Sequence, residues 1–134
     1  MIIPWQDLSR SSDPALCAGG ECLDGVLLQG LRDGLAAAAS DSLLVLHMKG
    51  SHGPAYYKRS PPDAKAFKPE CDTNALSSCS RESLVNVYDN SMVETDLFVA
   101  RTIDWLKNQQ DKYDTGLIYL SDHGESLGEN GLVM

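Results

Sequence analysis

The chain has 134 residues, a length that fits one domain able to bury roughly two-thirds of its unfolded surface. Its 43% hydrophobic and 22% charged residues are typical of a globular protein, and no apolar run approaches the roughly 18 residues that a membrane span requires. A net charge of −8 argues against a nucleic-acid partner and against nonspecific attachment to an anionic membrane surface, because both reward clustered lysine and arginine.

Residues 1–22 are rich in serine, proline, aspartate and glycine without a sustained period, which predicts a loop-rich stretch. The four cysteines form two close pairs, Cys17 with Cys22 and Cys71 with Cys79. The wide second spacing is poor for a metal site, so we expect two local disulfides; this is one of three connectivities, and four free thiols are the alternative. Disulfides favour an oxidising compartment, most simply a bacterial periplasm.

The rest of the chain, residues 23–134, has the pattern of an α/β core. Apolar residues at helical spacing predict a helix within Leu23 to Ala39, and the continuous apolar run at 42–47 predicts a strand buried on both faces. A second helix of about 28 residues should follow an N-cap at Ser80, and a second buried strand is predicted at 116–121. The order of these elements indicates a βαβ unit and therefore a parallel sheet with flanking helices.

A long polar, proline-rich stretch at 49–80 separates the first predicted strand from the second helix. Such a stretch inside a compact domain tends to be functional, so we expect it to form a wall of a site. Its basic cluster at 56–59 is interpreted as a solvated loop, with contact to an anionic substrate as the alternative. For Tyr88, Asp89 and Asn90, packing and the support of a neighbouring loop are favoured over substrate contact.

Polar residues follow both predicted strands at the edge where ligands bind in open α/β sheets, so His52, Asp122 and His123 are expected to converge on one crevice. Carboxylate and neutral imidazole are both good zinc ligands, and Gly124 allows a tight turn beside them. From the residues alone, a metal site remains open beside an alternative in which Asp122 caps a turn and His123 satisfies the sheet edge.

Three motifs carry a resemblance to a known family. They are Gly-Ser-His-Gly-Pro-Ala-Tyr-Tyr-Lys-Arg at 50–59, Tyr-Asp-Asn at 88–90 and Ser-Asp-His-Gly-Glu-Ser-Leu-Gly-Glu-Asn-Gly at 121–131. In this order they resemble the catalytic domain of the lipid A phosphoethanolamine transferases, a family that includes the transferable colistin-resistance enzymes. The cysteine pairs also resemble disulfides of that domain, and the resemblance runs from near Cys17 to the last residue.

The resemblance implies a fold similar to those of alkaline phosphatase and the sulfatases, in a periplasmic domain anchored to the inner membrane. It implies a Zn²⁺-dependent transfer of phosphoethanolamine, from phosphatidylethanolamine to lipid A, through a phosphorylated threonine. This reaction would confer polymyxin and colistin resistance. Asp122 and His123 match zinc ligands of the family, and His52 matches a histidine near the bound phosphoethanolamine or a second zinc. Glu125 lies in the same motif without a defined role.

Several parts of the family's site are expected outside this chain. The nucleophilic threonine, a glutamate zinc ligand and the membrane helices should lie upstream, and a further histidine should follow Met134. The chain is therefore predicted to be a partial catalytic domain that is inactive alone, in which Thr73, Thr95, Thr102 and Thr115 are structural. The alternatives are a related sulfatase or phosphodiesterase-type metal hydrolase and a truncated, non-catalytic interaction module.

Overall fold

The computed structural model describes residues 5–131, so the outermost residues of both predicted portions lie outside the described part. The chain divides into two compact units, the first ending at Lys49 and the second beginning at Gly50. Among the described residues, none of the helices has the length and apolarity needed to cross a membrane.

A small antiparallel hairpin begins the regular structure of the first unit. Strand β1 (Cys17–Ala18) pairs with β2 (Glu21–Cys22), and the predicted disulfide joins Cys17 to Cys22, which face each other across the hairpin. The two turn residues between the strands, Gly19 and Gly20, have φ of 58° and 79°. Glycine adopts this left-handed conformation without steric cost, so the turn explains the glycine pair.

The first predicted helix is confirmed and is shorter than expected. A 3₁₀ turn at Asp24–Val26 leads into α1 (Leu27–Ala36), with Val26 and Leu31 buried. Spacing alone predicts that a helix exists but sets its ends poorly, because the first turn here uses the tighter 3₁₀ geometry.

The long helix α2 (Arg81–Lys107) confirms the second helix prediction. The side chain of Ser80 accepts a hydrogen bond from the backbone N–H of Ser83, which satisfies one of the donors left open at a helix start. Glu82 in the first turn and Lys107 in the last turn both complement the helix dipole.

The predicted parallel sheet is not seen among residues 5–131, in which the strand pairing is the antiparallel one between β1 and β2. Residues 42–47 and 116–121 carry no strand, and the side chains of Leu43 and Ile118 are 89% and 87% exposed. A strand of this type needs neighbours on both edges and apolar cover on both faces. Residues 5–131 supply neither to these two segments.

The second unit has its core between α2 and the long proline-rich stretch. That stretch is folded into three 3₁₀ turns, Tyr56–Lys58, Pro62–Ala64 and Leu76–Ser78. Side chains from it pack with two from α2, and the buried cluster consists of Tyr56, Cys71, Leu76, Leu84 and Val87. The proline-rich stretch is therefore an ordered, packed part of the second unit, and its residues have the fixed positions that a site requires.

The second predicted disulfide, between Cys71 and Cys79, is also formed, and Cys71 is 2% exposed within this core. Replacing both cysteines by alanine should lower the free energy of unfolding by about 2–4 kcal/mol, since the cross-link restricts the unfolded chain. Chemical denaturation measures this change. The double alanine variant of Cys17 and Cys22 is the control, because loss of that disulfide should leave the core of the second unit unaltered. Equal stability of wild type and the variant that lacks Cys71 and Cys79 would contradict the prediction.

Candidate functional site

Glu125 joins the two segments that carry the histidines of the predicted site. Its carboxylate accepts a hydrogen bond from the backbone N–H of Gly53 at 3.1 Å and another from the Tyr56 hydroxyl at 3.0 Å. Its side chain is 11% exposed, and Oε1 lies 4.0 Å from Nδ1 of His52. A partly buried carboxylate with two donors is a strong local restraint, so Glu125 fixes residues 121–125 against residues 52–56.

Tyr56 connects this restraint to the core. The side chain is fully buried, and its ring meets the ring of Tyr88 edge to face with centroids 5.7 Å apart. A Cβ atom placed on Gly53 would lie 2.7 Å from the Tyr56 hydroxyl, a distance that real Cβ atoms do not reach. The close approach requires glycine at position 53, and it makes the site's backbone depend on the position of Tyr56.

The structure brings His52 and His123 together. Their ring centroids are 5.4 Å apart, and the ring planes are nearly perpendicular at 84°. Each ring places Nδ1 against the carbonyl oxygen of the glycine that follows it, at 2.7 Å for Gly53 and 2.8 Å for Gly124. A carbonyl oxygen only accepts, so Nδ1 donates in both rings, and the neutral imidazoles present Nε2 as the basic nitrogen.

Asp122 lies beside His123 and is exposed over 87% of its side chain. Its Oδ1 atom accepts a hydrogen bond from the backbone N–H of His123 and lies 3.9 Å from Nε2 of the same residue. Ser121 donates its hydroxyl to the carbonyl of His123, so local hydrogen bonds shape this turn. The bond to the carbonyl of Gly124 and then the charge of Asp122 raise the pKa of His123 above its usual value.

These side chains can supply part of a metal site. Asp122 and His123 carry oxygen and nitrogen donors of the kind zinc prefers, and a zinc site is usually completed by four ligands. Within residues 5–131, no group of three or more histidine, cysteine, aspartate or glutamate residues is placed to hold a metal.

The basic cluster at 56–59 does more than face solvent. Tyr56 lies in the core, and Arg59 donates from Nε to the backbone carbonyl of His52 at 3.1 Å. The cluster thus restrains the backbone at His52 through contacts within the second unit. Sequence analysis missed this role, although the motif at 50–59 that carries the family resemblance contains both residues.

Two of the four threonines form hydrogen bonds with nearby backbone groups. Thr102 donates its hydroxyl to the carbonyl of Phe98 at 2.8 Å, and the Thr73 hydroxyl accepts a hydrogen bond from the backbone N–H of Ala75. These contacts fit the structural role predicted for both threonines.

Replacing Glu125 by glutamine should lower the free energy of unfolding by about 1.5–3 kcal/mol, because the amide nitrogen cannot accept from Gly53 or Tyr56 and one donor loses its partner. Denaturant titration of the two proteins measures the difference. Asp111→Asn, which removes a charge from an exposed side chain, is the control and should change stability by less than about 0.5 kcal/mol. A Glu125 variant as stable as this control would show that the restraint contributes nothing.

Alkaline pH should weaken the same contact. Burial, and then the hydrogen bond to Glu125, raise the pKa of Tyr56 above its ordinary value, so the unfolded chain ionises first. The stabilisation that the neutral Tyr56 hydroxyl contributes to the folded state is complete below a pH of about 10. Above that pH it falls, by up to about 1.4 kcal/mol per pH unit. Tyr56→Phe should flatten this decline in denaturation curves taken on both sides of pH 10, whereas Phe at the exposed Tyr113 should leave it unchanged. Parallel curves for wild type and Tyr56→Phe would refute the assignment.

Comparison with known proteins supplies the family. A profile of the sulfatase family matches residues 3–133. The phosphoethanolamine transferase EptA of Salmonella typhimurium is 49% identical over 132 residues, which cover 98% of this chain and 24% of that protein. The phosphatidylethanolamine transferase Mcr-1 of Escherichia coli is 43% identical over 134 residues, covering 97% of this chain and 25% of its own length.

Solved structures give the same relationship. The soluble domain of lipooligosaccharide phosphoethanolamine transferase A from Neisseria meningitidis matches with a TM-score of 0.86 and 40% identity, over 98% of this chain and 39% of that one. The C-terminal periplasmic domain of phosphoethanolamine transferase EptC from Campylobacter jejuni matches with a TM-score of 0.79 and 49% identity, over 84% of this chain and 36% of that one.

The chain spans about a quarter of the length of the curated relatives it matches. Within that span the match is nearly continuous, and it includes both segments that Glu125 joins. Together with the likeness to solved phosphoethanolamine transferase domains, the nearly full-length profile match establishes that the chain belongs to the sulfatase family.

Proposed function

We propose that the chain is part of a zinc-dependent transferase that moves phosphoethanolamine from phosphatidylethanolamine to lipid A. The observation that carries the proposal is the pair formed by His52 and His123, whose rings lie 5.4 Å apart on segments that Glu125 joins, and each of which donates from Nδ1 to the carbonyl of the following glycine. The similar relatives are named phosphoethanolamine and phosphatidylethanolamine transferases, which supports transfer of this group. In this account the protein modifies the lipid that polymyxins bind, and so confers colistin resistance.

Asp122 and His123 would hold the zinc, together with ligands from outside the described residues. Their donor atoms fit the ion, and the bond from Nδ1 of His123 to the Gly124 carbonyl leaves the basic nitrogen available in the neutral ring. When bound, the ion lowers the pKa of the attacking hydroxyl and offsets charge on the phosphoryl oxygens.

The chain's own residues would bind and orient the phosphoryl group. His52 presents an imidazole within reach of the His123 ring and can donate a hydrogen bond to a phosphoryl oxygen once protonated. Arg59 fixes the backbone of His52 from one side, while Glu125 fixes the neighbouring N–H of Gly53. The nucleophile is assigned to a threonine outside this chain, and the chain alone is proposed to be inactive.

The cellular location follows from the same proposal. Two disulfides are expected to persist in an oxidising compartment, which supports a periplasmic catalytic domain. The apolar segments 42–47 and 116–121 would become strands of a parallel sheet when the remaining parts of the catalytic domain cover them. Attachment to the inner membrane would be provided by helices outside this chain.

Product analysis tests the reaction. The full-length protein that contains this chain is incubated with phosphatidylethanolamine and lipid A, and both lipids are analysed by mass spectrometry. We expect lipid A to gain the mass of one phosphoethanolamine group and diacylglycerol to appear in equal amount. Release of free phosphoethanolamine with unmodified lipid A would instead indicate a hydrolase, and the absence of any product would indicate a non-catalytic remnant.

A further inference from the structure

A cavity of about 450 Å³ opens beside His52. Its lining residues come from positions 52–54, from Glu125 and from positions 74–77. The last group lies in the loop between the joined cysteines Cys71 and Cys79, so the disulfide fixes both ends of that part of the wall. The volume is within the range of roughly 300–1,000 Å³ that is common for small-molecule sites.

The polar side chains of the loop between Cys71 and Cys79 have two different roles. Thr73 accepts a hydrogen bond from the backbone N–H of Ala75, and Ser78 donates its hydroxyl to the Ala75 carbonyl at 2.7 Å, so these two residues shape the turn. Asn74 and Ser77 are exposed and line the cavity, and their side chains form no hydrogen bond with other described residues. The amide of Asn74 and the hydroxyl of Ser77 therefore line the cavity and do not shape the turn.

The remaining lining combines apolar side chains with the imidazole of His52 and the carboxylate of Glu125. Pro54, Ala75 and Leu76 provide apolar surface, whereas the Glu125 side chain is only 11% exposed and each of its two oxygens already accepts one hydrogen bond, from Gly53 or from Tyr56. An ammonium group is recognised by an available carboxylate or by aromatic faces, and the described lining contains no aromatic side chain other than the imidazole of His52. A sugar ring has hydroxyl groups for an amide and a serine and C–H faces for apolar side chains, and so it matches this wall better.

We infer that the cavity binds a sugar ring of the acceptor, and that Asn74 and Ser77 determine acceptor specificity. The inference rests on the proposed function, since it names the part of the site that receives the acceptor. The phosphate carried by that sugar would then lie on the side of His52 and Glu125, next to the histidine pair.

Steady-state kinetics of the full-length enzyme test the assignment. In the variant that combines Asn74→Ala with Ser77→Ala, the KM for the acceptor should rise about tenfold through the loss of two hydrogen bonds, whereas kcat and the KM for phosphatidylethanolamine should stay within about twofold. Asn108→Ala, an exposed asparagine at the end of α2, is the matched control and should behave as wild type. Unchanged acceptor KM, or a rise in the donor KM instead, would overturn the inference.

A binding measurement keeps the inference independent of turnover. Saturation-transfer NMR with glucosamine 1-phosphate should detect binding to wild type and to Asn108→Ala, with a loss of signal in the double alanine variant. Ala75→Phe, which fills the cavity while keeping both polar side chains, should lose the signal as well. Sugar binding that depends on Asn74 and Ser77 in a protein without transferase activity would leave the inference standing and refute the proposed function. Equal binding by all four proteins would refute the inference alone.

Discussion

Replacing His123 by alanine is expected to lower the zinc affinity of the full-length protein by about 100-fold or more. Removing even an outer-shell partner of a zinc ligand costs roughly 10–100-fold in affinity, and a direct ligand should cost at least as much. Competition with a fluorescent zinc chelator measures the change. Asp122→Asn should have a similar effect on zinc affinity, since the amide keeps the shape of the side chain and loses its charge.

His47 offers a matched control for this experiment. It is one of the three histidines of the chain, is exposed, and belongs to the first of the two units. Alanine at His47 should leave zinc affinity unchanged, so a loss confined to the His123 variant is specific to the site. Equal affinity in wild type and His123→Ala would remove His123 from the metal site.

Replacing Asn90 by alanine should destabilise the second unit by about 3–4 kcal/mol, because several buried partners lose their hydrogen bonds together. Asn90 is fully buried on α2. Its carbonyl oxygen accepts from the backbone N–H groups of Ala66 and Phe67, each at 2.9 Å, and its amide donates to Glu70 and to the Phe67 carbonyl. Denaturant titration gives the change in the free energy of unfolding.

The network around Asn90 extends further, which is why a large effect is expected. Glu70 forms an ion pair with Lys65 at 3.2 Å, and Lys65 donates to the carbonyl of Tyr57 beside the site. Asn86→Ala is the control, since that half-buried side chain makes a single bond, to the Pro69 carbonyl, and should cost only about 0.5–1.5 kcal/mol. Similar losses for Asn86 and Asn90 would contradict the account of the network.

Features set by local interactions were predicted well from the sequence. The start of α2 depends on Ser80 and its contact with Ser83, three residues away, and both disulfides close short loops. The prediction that the polar residues in the middle of α2 hold a neighbouring loop is confirmed for Asn90.

Features that depend on distant partners were predicted less well. The strand at 116–121 requires neighbours that residues 5–131 do not provide, so its apolar pattern is present without a sheet. The restraint formed by Glu125 joins positions 72 and 69 residues apart, and no periodic pattern marks such a pair. The packing of the proline-rich stretch on α2 likewise depends on Tyr56, whose burial is not visible in a cluster that reads as basic and polar.

The candidate site lies between these cases. The convergence of His52 with His123 was expected from the position of each after an apolar run, and the structure brings the two rings within 5.4 Å. The assignment of Asp122 and His123 to zinc stays a prediction. The cavity wall at 74–77 was not predicted, because its polar residues become neighbours of His52 only after the stretch folds back onto the helix.

The most direct measurement of the central claim is the mass of lipid A from cells that make the full-length protein. Cells with wild type or with His47→Ala should carry lipid A heavier by one phosphoethanolamine group, and cells with His123→Ala or Asp122→Asn should carry unmodified lipid A at equal protein levels. Unmodified lipid A in every strain, or full modification by the His123 variant, would contradict a zinc-dependent transferase that uses this site.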